Sequence, residues 1–317
     1  MKVLEQLSLA GLVPVIKVED ALDAVPLCKA LSDGGLPVAE ITFRTAAAEE
    51  AIRRVKAELP DVILGAGTVL TVEQVKKAVA AGAAYIVSPG FNPQVVGYCV
   101  ENNIPVLPGC ANPSDIEMAL SFGLDTVKFF PAEAAGGIKY IKAISAPYGA
   151  IKFVPTGGIN ENNLADYIAF PKVVAVGGSW MVPGDAIKAK DFGKITALTK
   201  QAVKVLLGLE LKHVGFNFND ADECVKQAKL MAAITGLPAI EKPGNVFVGT
   251  EYEFLKKPNH GTNGHIAVGV NSIARAKWHI ERLGFEFREP VPNSEGKVVA
   301  IYLKDEIGGF AVHILQK

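Results

Sequence analysis

Lys128 lies near the end of a short apolar run, Thr126-Val127-Lys128-Phe129-Phe130-Pro131. An ammonium set between Val127 and two phenylalanines is costly to keep charged, because desolvation favours the neutral amine. A neutral amine attacks carbonyl carbon and forms a Schiff base. The competing reading is a lysine whose stem covers apolar surface while its head reaches water. The residues at the ends of the other apolar runs favour the first reading.

Glu40 and Arg44 stand four apart in Glu40-Ile41-Thr42-Phe43-Arg44. In extended chain Glu40, Thr42 and Arg44 share one side. A salt bridge between Glu40 and Arg44 is one expectation. The other gives Arg44 a substrate carboxylate, held by fork-like hydrogen bonds, and gives Glu40 the proton transfers. Thr68, after Gly65-Ala66-Gly67, either donates its hydroxyl to the same carboxylate or caps a helix. Gly157-Gly158 and Gly177-Gly178-Ser179 end the last two runs. Single GG pairs are usually turns, but glycine also lets backbone N–H groups approach a phosphate closely.

Eight β-rich runs carry these residues, at 13–16, 38–41, 62–65, 85–88, 105–108, 126–129, 152–155 and 173–176. Amphipathic stretches such as residues 46–55 and 71–78 separate them. Strands alternating with helices predict a parallel sheet. Eight units in about 200 residues predict a closed (β/α)8 TIM barrel, with an open doubly wound sheet as the alternative. In a barrel the C-terminal strand ends face one mouth, and the last two commonly hold phosphate. Residues 193–207 read as a closing helix.

After residue 208 the pattern changes. A strand at 211–218, a helix at 221–233 and short strands follow. About fifty residues later the same order returns, with a strand at 264–271, a helix at 272–283 and short strands ending at 309–315. The division predicted is 1–208 and 209–317, the second a smaller α+β domain of two βαβββ modules. Asn219-Asp220 and Asn271-Ser272 sit where helix N-caps belong.

Composition narrows the function. Of 317 residues 50% are hydrophobic, enough for a large core. A net charge of -1 gives no electrostatic basis for binding nucleic acid or an anionic membrane. No apolar stretch reaches the roughly 18 residues of a membrane helix, and the first residues read as fold rather than signal peptide. Four cysteines without CxxC spacing suggest buried thiols in a reducing cytoplasm. All five histidines follow residue 210, so acid–base work earlier in the chain falls to other groups.

A buried lysine, a carboxylate, an arginine clamp and a phosphate cradle on one mouth describe Schiff-base cleavage of a phosphorylated 2-oxo acid. A barrel that binds phosphosugars or serves assembly, without catalysis, is the alternative.

Residues 35–44 and 123–136 resemble the two signatures of the KDPG/KHG aldolase family. GAGTVL (65–70), SPG (88–90), PTGGI (155–159) and GGSW (177–180) are similar to that family in the same order. The resemblance covers about residues 1–207. It implies a class I aldolase of the Entner–Doudoroff pathway that needs no metal. The implied reactions are cleavage of 2-dehydro-3-deoxy-6-phosphogluconate to pyruvate and glyceraldehyde 3-phosphate, and of 4-hydroxy-2-oxoglutarate to pyruvate and glyoxylate. It implies a homotrimer, Lys128 as the Schiff-base lysine and Glu40 as general acid/base. It further implies substrate contacts at Arg44, Thr68, Pro89, Phe130, Gly157, Gly158, Gly178 and Ser179. The loop 108–113 is less familiar and leaves the choice between the two substrates open.

The two repeats resemble the vicinal oxygen chelate (glyoxalase-like) superfamily. That resemblance implies metal ligands on the first and last strands of each module, here His213, Glu253, His265 and His313. His313 departs from the glutamate often found there. All four side chains suit a divalent metal. The competing reading has single polar residues facing water. His260 and His279 match no ligand position and read as loop and helix-surface residues.

Overall fold

Each apolar run of the first two-thirds becomes a parallel strand in the computed structural model, which describes residues 1–317 except for the side chain of Val291. The strands are β1 (Leu12–Ile16), β2 (Val38–Thr42), β3 (Ile63–Gly67), β4 (Tyr85–Val87), β5 (Val106–Leu107), β6 (Thr126–Phe129), β7 (Lys152–Pro155) and β8 (Val176–Gly178). Helices alternate with them. In order they are α1 (Val3–Ala10), α2 (Ala24–Asp33), α3 (Ala48–Glu58), α4 (Val72–Ala81), α5 (Pro93–Glu101) and α6 (Pro113–Ser121). The series continues with α7 (Gly137–Ser145), α8 (Leu164–Ile168), α9 (Gly184–Lys188) and the closing α10 (Phe192–Leu207).

Six strands form one sheet in the order β5-β4-β3-β2-β1-β8, and β6 pairs with β7. Parallel bridges join the two pieces, Gly109 to Lys128 at one edge and both Phe153 to Val173 and Thr156 to Gly177 at the other. The ring therefore closes as an eight-stranded barrel.

The eighth strand begins later than the apolar run at 173–176 predicts. Val173 bridges Phe153, and the Val174 N–H donates to the Phe153 carbonyl at 3.0 Å. The ladder with β1 starts only at Val176, pairing Leu12 with Val176 and Pro14 with Gly178. Hydrophobicity marks where the segment is buried, not where its ladder lies.

Helix α3 shows how the layers form. Ala48, Ala51, Ile52 and Val55 repeat at helical spacing and are buried. The outer face carries Glu49 and Glu50, paired with Arg53 and Arg54. Such exposed, solvent-screened pairs contribute little, so the apolar stripe decides the packing. It meets Leu27, Leu31, Ile41 and Leu64 in a core shared by helices and sheet. Side chains of Thr71, Asn92 and Asn112 cap α4, α5 and α6. An N-cap of this kind is typically worth about 1 kcal/mol.

The chain divides into the units Met1–Leu206 and Leu207–Lys317. The second unit contains β9 (Glu210–Asn217), α11 (Ala221–Thr235), β10 (Ala239–Glu241), β11 (Asn245–Val248) and β12 (Tyr252–Leu255). The same order follows in β13 (Gly264–Val270), α12 (Ile273–Glu281), β14 (Val291–Pro292), β15 (Val298–Ile307) and β16 (Phe310–Gln316). One sheet runs β10-β11-β12-β9-β13-β16-β15-β14. Strand β9 is parallel to β12, β13 is parallel to β16, and β9 and β13 are antiparallel. Two βαβββ modules thus meet at their first strands. Asp220 and Ser272 cap α11 and α12.

His279 on α12 is 6% exposed and is not the surface residue expected. The buried Ile273, Ala276 and His279 repeat every three residues and form the inner face of that helix. All four cysteines are free and buried. Burial pushes the Cys28 and Cys110 thiols up to about 12 and that of Cys99 up to about 11. No helix among the described residues is long and apolar enough to cross a membrane.

Candidate active site and candidate metal centre

Glu40 lies within β2 and Lys128 within β6, 3% and 6% exposed respectively. Lys128 Nζ approaches Glu40 Oε1 to 3.5 Å. That oxygen is buried and accepts no hydrogen bond. At 3.5 Å the contact is longer than an ordinary N–H···O hydrogen bond. The lysine backbone is held in place as well: its N–H donates to the Pro108 carbonyl at 2.9 Å, and its carbonyl accepts from Cys110 N–H at 2.8 Å.

The expected Glu40–Arg44 bridge is not the pairing that forms. Arg44 is exposed, and its Nε donates to Thr42 Oγ1 at 3.1 Å. The Thr42 hydroxyl donates in turn to the Ile16 carbonyl at 2.8 Å. Thr42 so orients the arginine while Glu40 faces Lys128.

Strand β3 makes room for this pair. A Cβ on Gly67 would stand 2.2 Å from Glu40 Oε1, and one on Gly65 would stand 2.2 Å from the Tyr85 ring. Both positions lack side chains because a neighbouring strand fills the space. Tyr85 is fully buried, with its hydroxyl 3.4 Å from the Ala39 carbonyl. Burial, and then the charge of Glu40, hold its phenol well above the usual range. Neither Tyr85 nor Thr42 was singled out as functional from its type. The signal available was the glycine at alternate positions of an otherwise apolar strand.

Thr68 does not cap α4, since Thr71 does so through its side chain. Its backbone is left-handed, with φ 56°. A β-branched residue there is an outlier costing about 1–3 kcal/mol. At the ends of β4 and β5 a Cβ on Gly109 would come within 2.0 Å of the Pro89 carbonyl oxygen. Phe130 is 38% exposed, with its ring centroid 5.4 Å from Lys128 Nζ. The same ring lies 3.4 Å from where a Gly157 Cβ would be. Gly157 and Gly158 both take positive φ, 104° and 81°. Gly178 lies under the Trp180 ring, 1.8 Å from where a Cβ would be. Ser179 is exposed and opens the turn to Val182, whose N–H donates to its carbonyl at 3.0 Å. Contacts thus run from Glu40 to Lys128, Phe130 and Gly157. Arg44 and Thr68 stand just past the ends of β2 and β3, and Pro89 just past β4.

In the second unit Glu253, His213, His265 and His313 occupy the adjacent strands β12, β9, β13 and β16. Register explains their convergence. His213 and His313 both pair with Ala267 and form one row. Glu253 and His265 both pair with Gly215 and form the next row. A Cβ on Gly215 would strike the His265 ring at 2.2 Å, so this glycine leaves the ring its place.

His213 Nε2 lies 2.9 Å from His265 Nε2. Glu253 Oε2 lies 3.1 Å from His265 Nε2 and 3.5 Å from His213 Nε2. Its other oxygen accepts from Asn245. One nitrogen from each of the three histidines falls within 4.8 Å of the others. Both ring nitrogens of His313 are buried without a hydrogen-bond partner. The Tyr302 ring stacks on His313 with centroids 4.5 Å apart.

Burial, then the neighbouring His265 and His213, drive His313 down to about 3. Burial and His265 also lower His213. Burial pulls Glu253 upward, but hydrogen bonds with His265 and Asn245 outweigh it and hold the carboxyl below its usual value. Neutral imidazoles beside a carboxylate are the forms that ligate metal.

Comparison with known proteins places the barrel in a family. A family model described as KDPG and KHG aldolase matches residues 3–198, and the second unit lies beyond it. The 2-dehydro-3-deoxy-phosphogluconate aldolase of Treponema pallidum is 52% identical over 204 residues, covering 64% of this chain and 97% of that protein. The KHG/KDPG aldolase of Escherichia coli K12 is 43% identical over 198 residues, 62% of this chain and 93% of that one. A Legionella pneumophila KDPG aldolase structure is 42% identical with a TM-score of 0.61 and covers 63% of this chain and 97% of its own. It holds pyruvate captured as a covalent carbinolamine intermediate. With its barrel matched from the first helix to the last, the chain belongs to the KDPG and KHG aldolase family of carbon–carbon lyases.

Proposed function

We propose that the barrel cleaves 2-dehydro-3-deoxy-6-phosphogluconate to pyruvate and glyceraldehyde 3-phosphate, and 4-hydroxy-2-oxoglutarate to pyruvate and glyoxylate. The observation that carries this reading is the buried Lys128 amine 3.5 Å from an otherwise unpartnered Glu40 oxygen. The relatives' printed activities support it.

Lys128 Nζ adds to the C2 carbonyl, and loss of water gives an iminium. The C3–C4 bond then breaks, its electron pair flowing into the iminium to leave an enamine. Glu40, directly or through a water, takes the C4 hydroxyl proton as the aldehyde departs. It returns a proton to C3, and hydrolysis frees pyruvate and the amine. Arg44 and Thr68 hold the carboxylate, while Pro89 and Phe130 wall the reacting carbons. Gly157, Gly158, Gly178 and Ser179 cradle the phosphate through backbone N–H groups. An intact lysine–glutamate pair argues against a barrel that only binds phosphosugars. The four buried thiols support a reducing cytoplasmic setting.

The second unit, in the same proposal, is a vicinal-oxygen-chelate domain that binds a divalent cation through His213, Glu253, His265 and His313. The orphaned nitrogens of His313 and the facing nitrogens of His213 and His265 fit a metal better than any protein partner. Three imidazoles and one carboxylate favour zinc or another late transition metal over magnesium or calcium. The ion would supply Lewis acidity at that place.

Borohydride with pyruvate should add a reduced adduct to Lys128 alone, read by peptide mass spectrometry. Lys128→Ala should remain folded and lose cleavage, and near-normal turnover in it would contradict the mechanism. Gly67→Ala should drive a methyl into Glu40 and lower kcat about a hundredfold, the scale of a misplacement near 1 Å. An unchanged kcat in that variant would refute the assigned spatial role. Elemental analysis of tag-free protein should find one divalent ion per chain, with less in His313→Ala; none after supplementation would reject the metal centre. The family resemblance supports a homotrimer, for which light scattering should return the mass of three chains rather than one.

A further inference from the structure

Glu133 follows the lysine strand by four residues and enters none of the steps above. Its backbone N–H donates to the Gly157 carbonyl at 3.0 Å, and Ala132 N–H donates to Thr156 at 2.8 Å. These bonds carry the β6–β7 ladder beyond both strands. Its side chain lies against Gly158, where a Cβ would stand 2.6 Å from Glu133 Cβ. The carboxylate then accepts a hydrogen bond from the hydroxyl of Tyr167 on α8. Tyr167 is 1% exposed, and burial together with Glu133 holds its phenol above the usual range, so it stays a donor. Asn163, just before α8, donates to the Gly158 carbonyl at 3.4 Å.

We propose that Glu133 is a positioning residue that sets the Gly157-Gly158 loop for the substrate's phosphate, with Tyr167 as its anchor. Resting on the aldolase reading, the assignment separates two substrate classes. A carboxylate beside an anion cradle opposes the anion unless something holds it aside. The Tyr167 hydroxyl does this, while the backbone bond from Glu133 ties the loop after β6 to the loop after β7. The glycine at 158 is then required by the Glu133 side chain as well as by its own positive φ. Removing the clamp frees the loop carrying the phosphate contacts but leaves Lys128 and Glu40 in place. A phosphorylated substrate feels this change, and one without phosphate does not.

The test compares steady-state kinetics of wild type, Tyr167→Phe, Glu133→Ala and Glu133→Gln on 2-dehydro-3-deoxy-6-phosphogluconate and 4-hydroxy-2-oxoglutarate. Tyr167→Phe and Glu133→Ala should raise KM for the phosphorylated substrate about tenfold, the scale of one charge-assisted hydrogen bond. Their kcat on it, and both constants for the other substrate, should stay within about twofold. Glu133→Gln keeps an oxygen for the tyrosine and should retain near-wild-type KM. Loss of both activities alike in a folded Tyr167→Phe protein, or no change in KM, overturns the assignment alone. Wild-type protein that cleaves neither substrate overturns the aldolase reading and this assignment with it.

Discussion

The Lys128 amine and the Glu40 carboxyl share a buried space at the barrel mouth, and the structure around them is arranged to allow it. Isolated, either charge would be expensive to bury, and side by side they compensate each other. The pair leaves one carboxylate oxygen without a hydrogen bond. An oxygen in that state has a free lone pair for an incoming proton. Gly67 and Gly65 are the sequence record of this arrangement, since each is small where a neighbouring strand projects a large side chain. Thr42 completes it by turning Arg44 toward its own hydroxyl rather than toward Glu40.

The second unit meets a related difficulty with different groups. Three imidazoles and a carboxylate converge because two rows of cross-strand neighbours meet over Ala267 and Gly215, both small. Low proton affinity keeps His213 and His313 neutral and ready to donate lone pairs. Tyr302, stacked on His313, fixes the plane of a ring that has no hydrogen bond to hold it.

Much of this was legible in the amino-acid order, for physical reasons. Parallel strands buried on both faces read as short apolar runs, so seven of the eight runs coincide closely with their strands. The eighth shifted because glycines carry its ladder, and glycine has no hydropathy to read. Asn219-Asp220 and Asn271-Ser272 showed through as capping sites because capping is local chemistry, and the structure takes the second residue of each pair. The burial of His279 did not, because a histidine on an amphipathic helix can face either way until the sheet beneath it is known. Thr68 was ambiguous for a like reason: a hydroxyl after a glycine-rich strand suits a cap, and only the backbone shows it in the left-handed region. The Glu40–Lys128 contact joins residues 88 positions apart, and local pattern places both at strand ends without saying which partner each one meets.

The barrel closes unevenly. Strands β6 and β7 share a four-residue ladder, whereas β6 meets the neighbouring edge at one bridge, Gly109 to Lys128, and β7 at two, Phe153 to Val173 and Thr156 to Gly177. Lys128 and the Gly157-Gly158 turn ride together on this small two-stranded raft, whereas Glu40 belongs to the larger sheet. In the proposed mechanism the covalent anchor and the anion grip thus belong to strands joined by continuous pairing. The proton-transfer gap of that mechanism instead spans the seam between this pair of strands and the larger sheet, where the pairing is sparser.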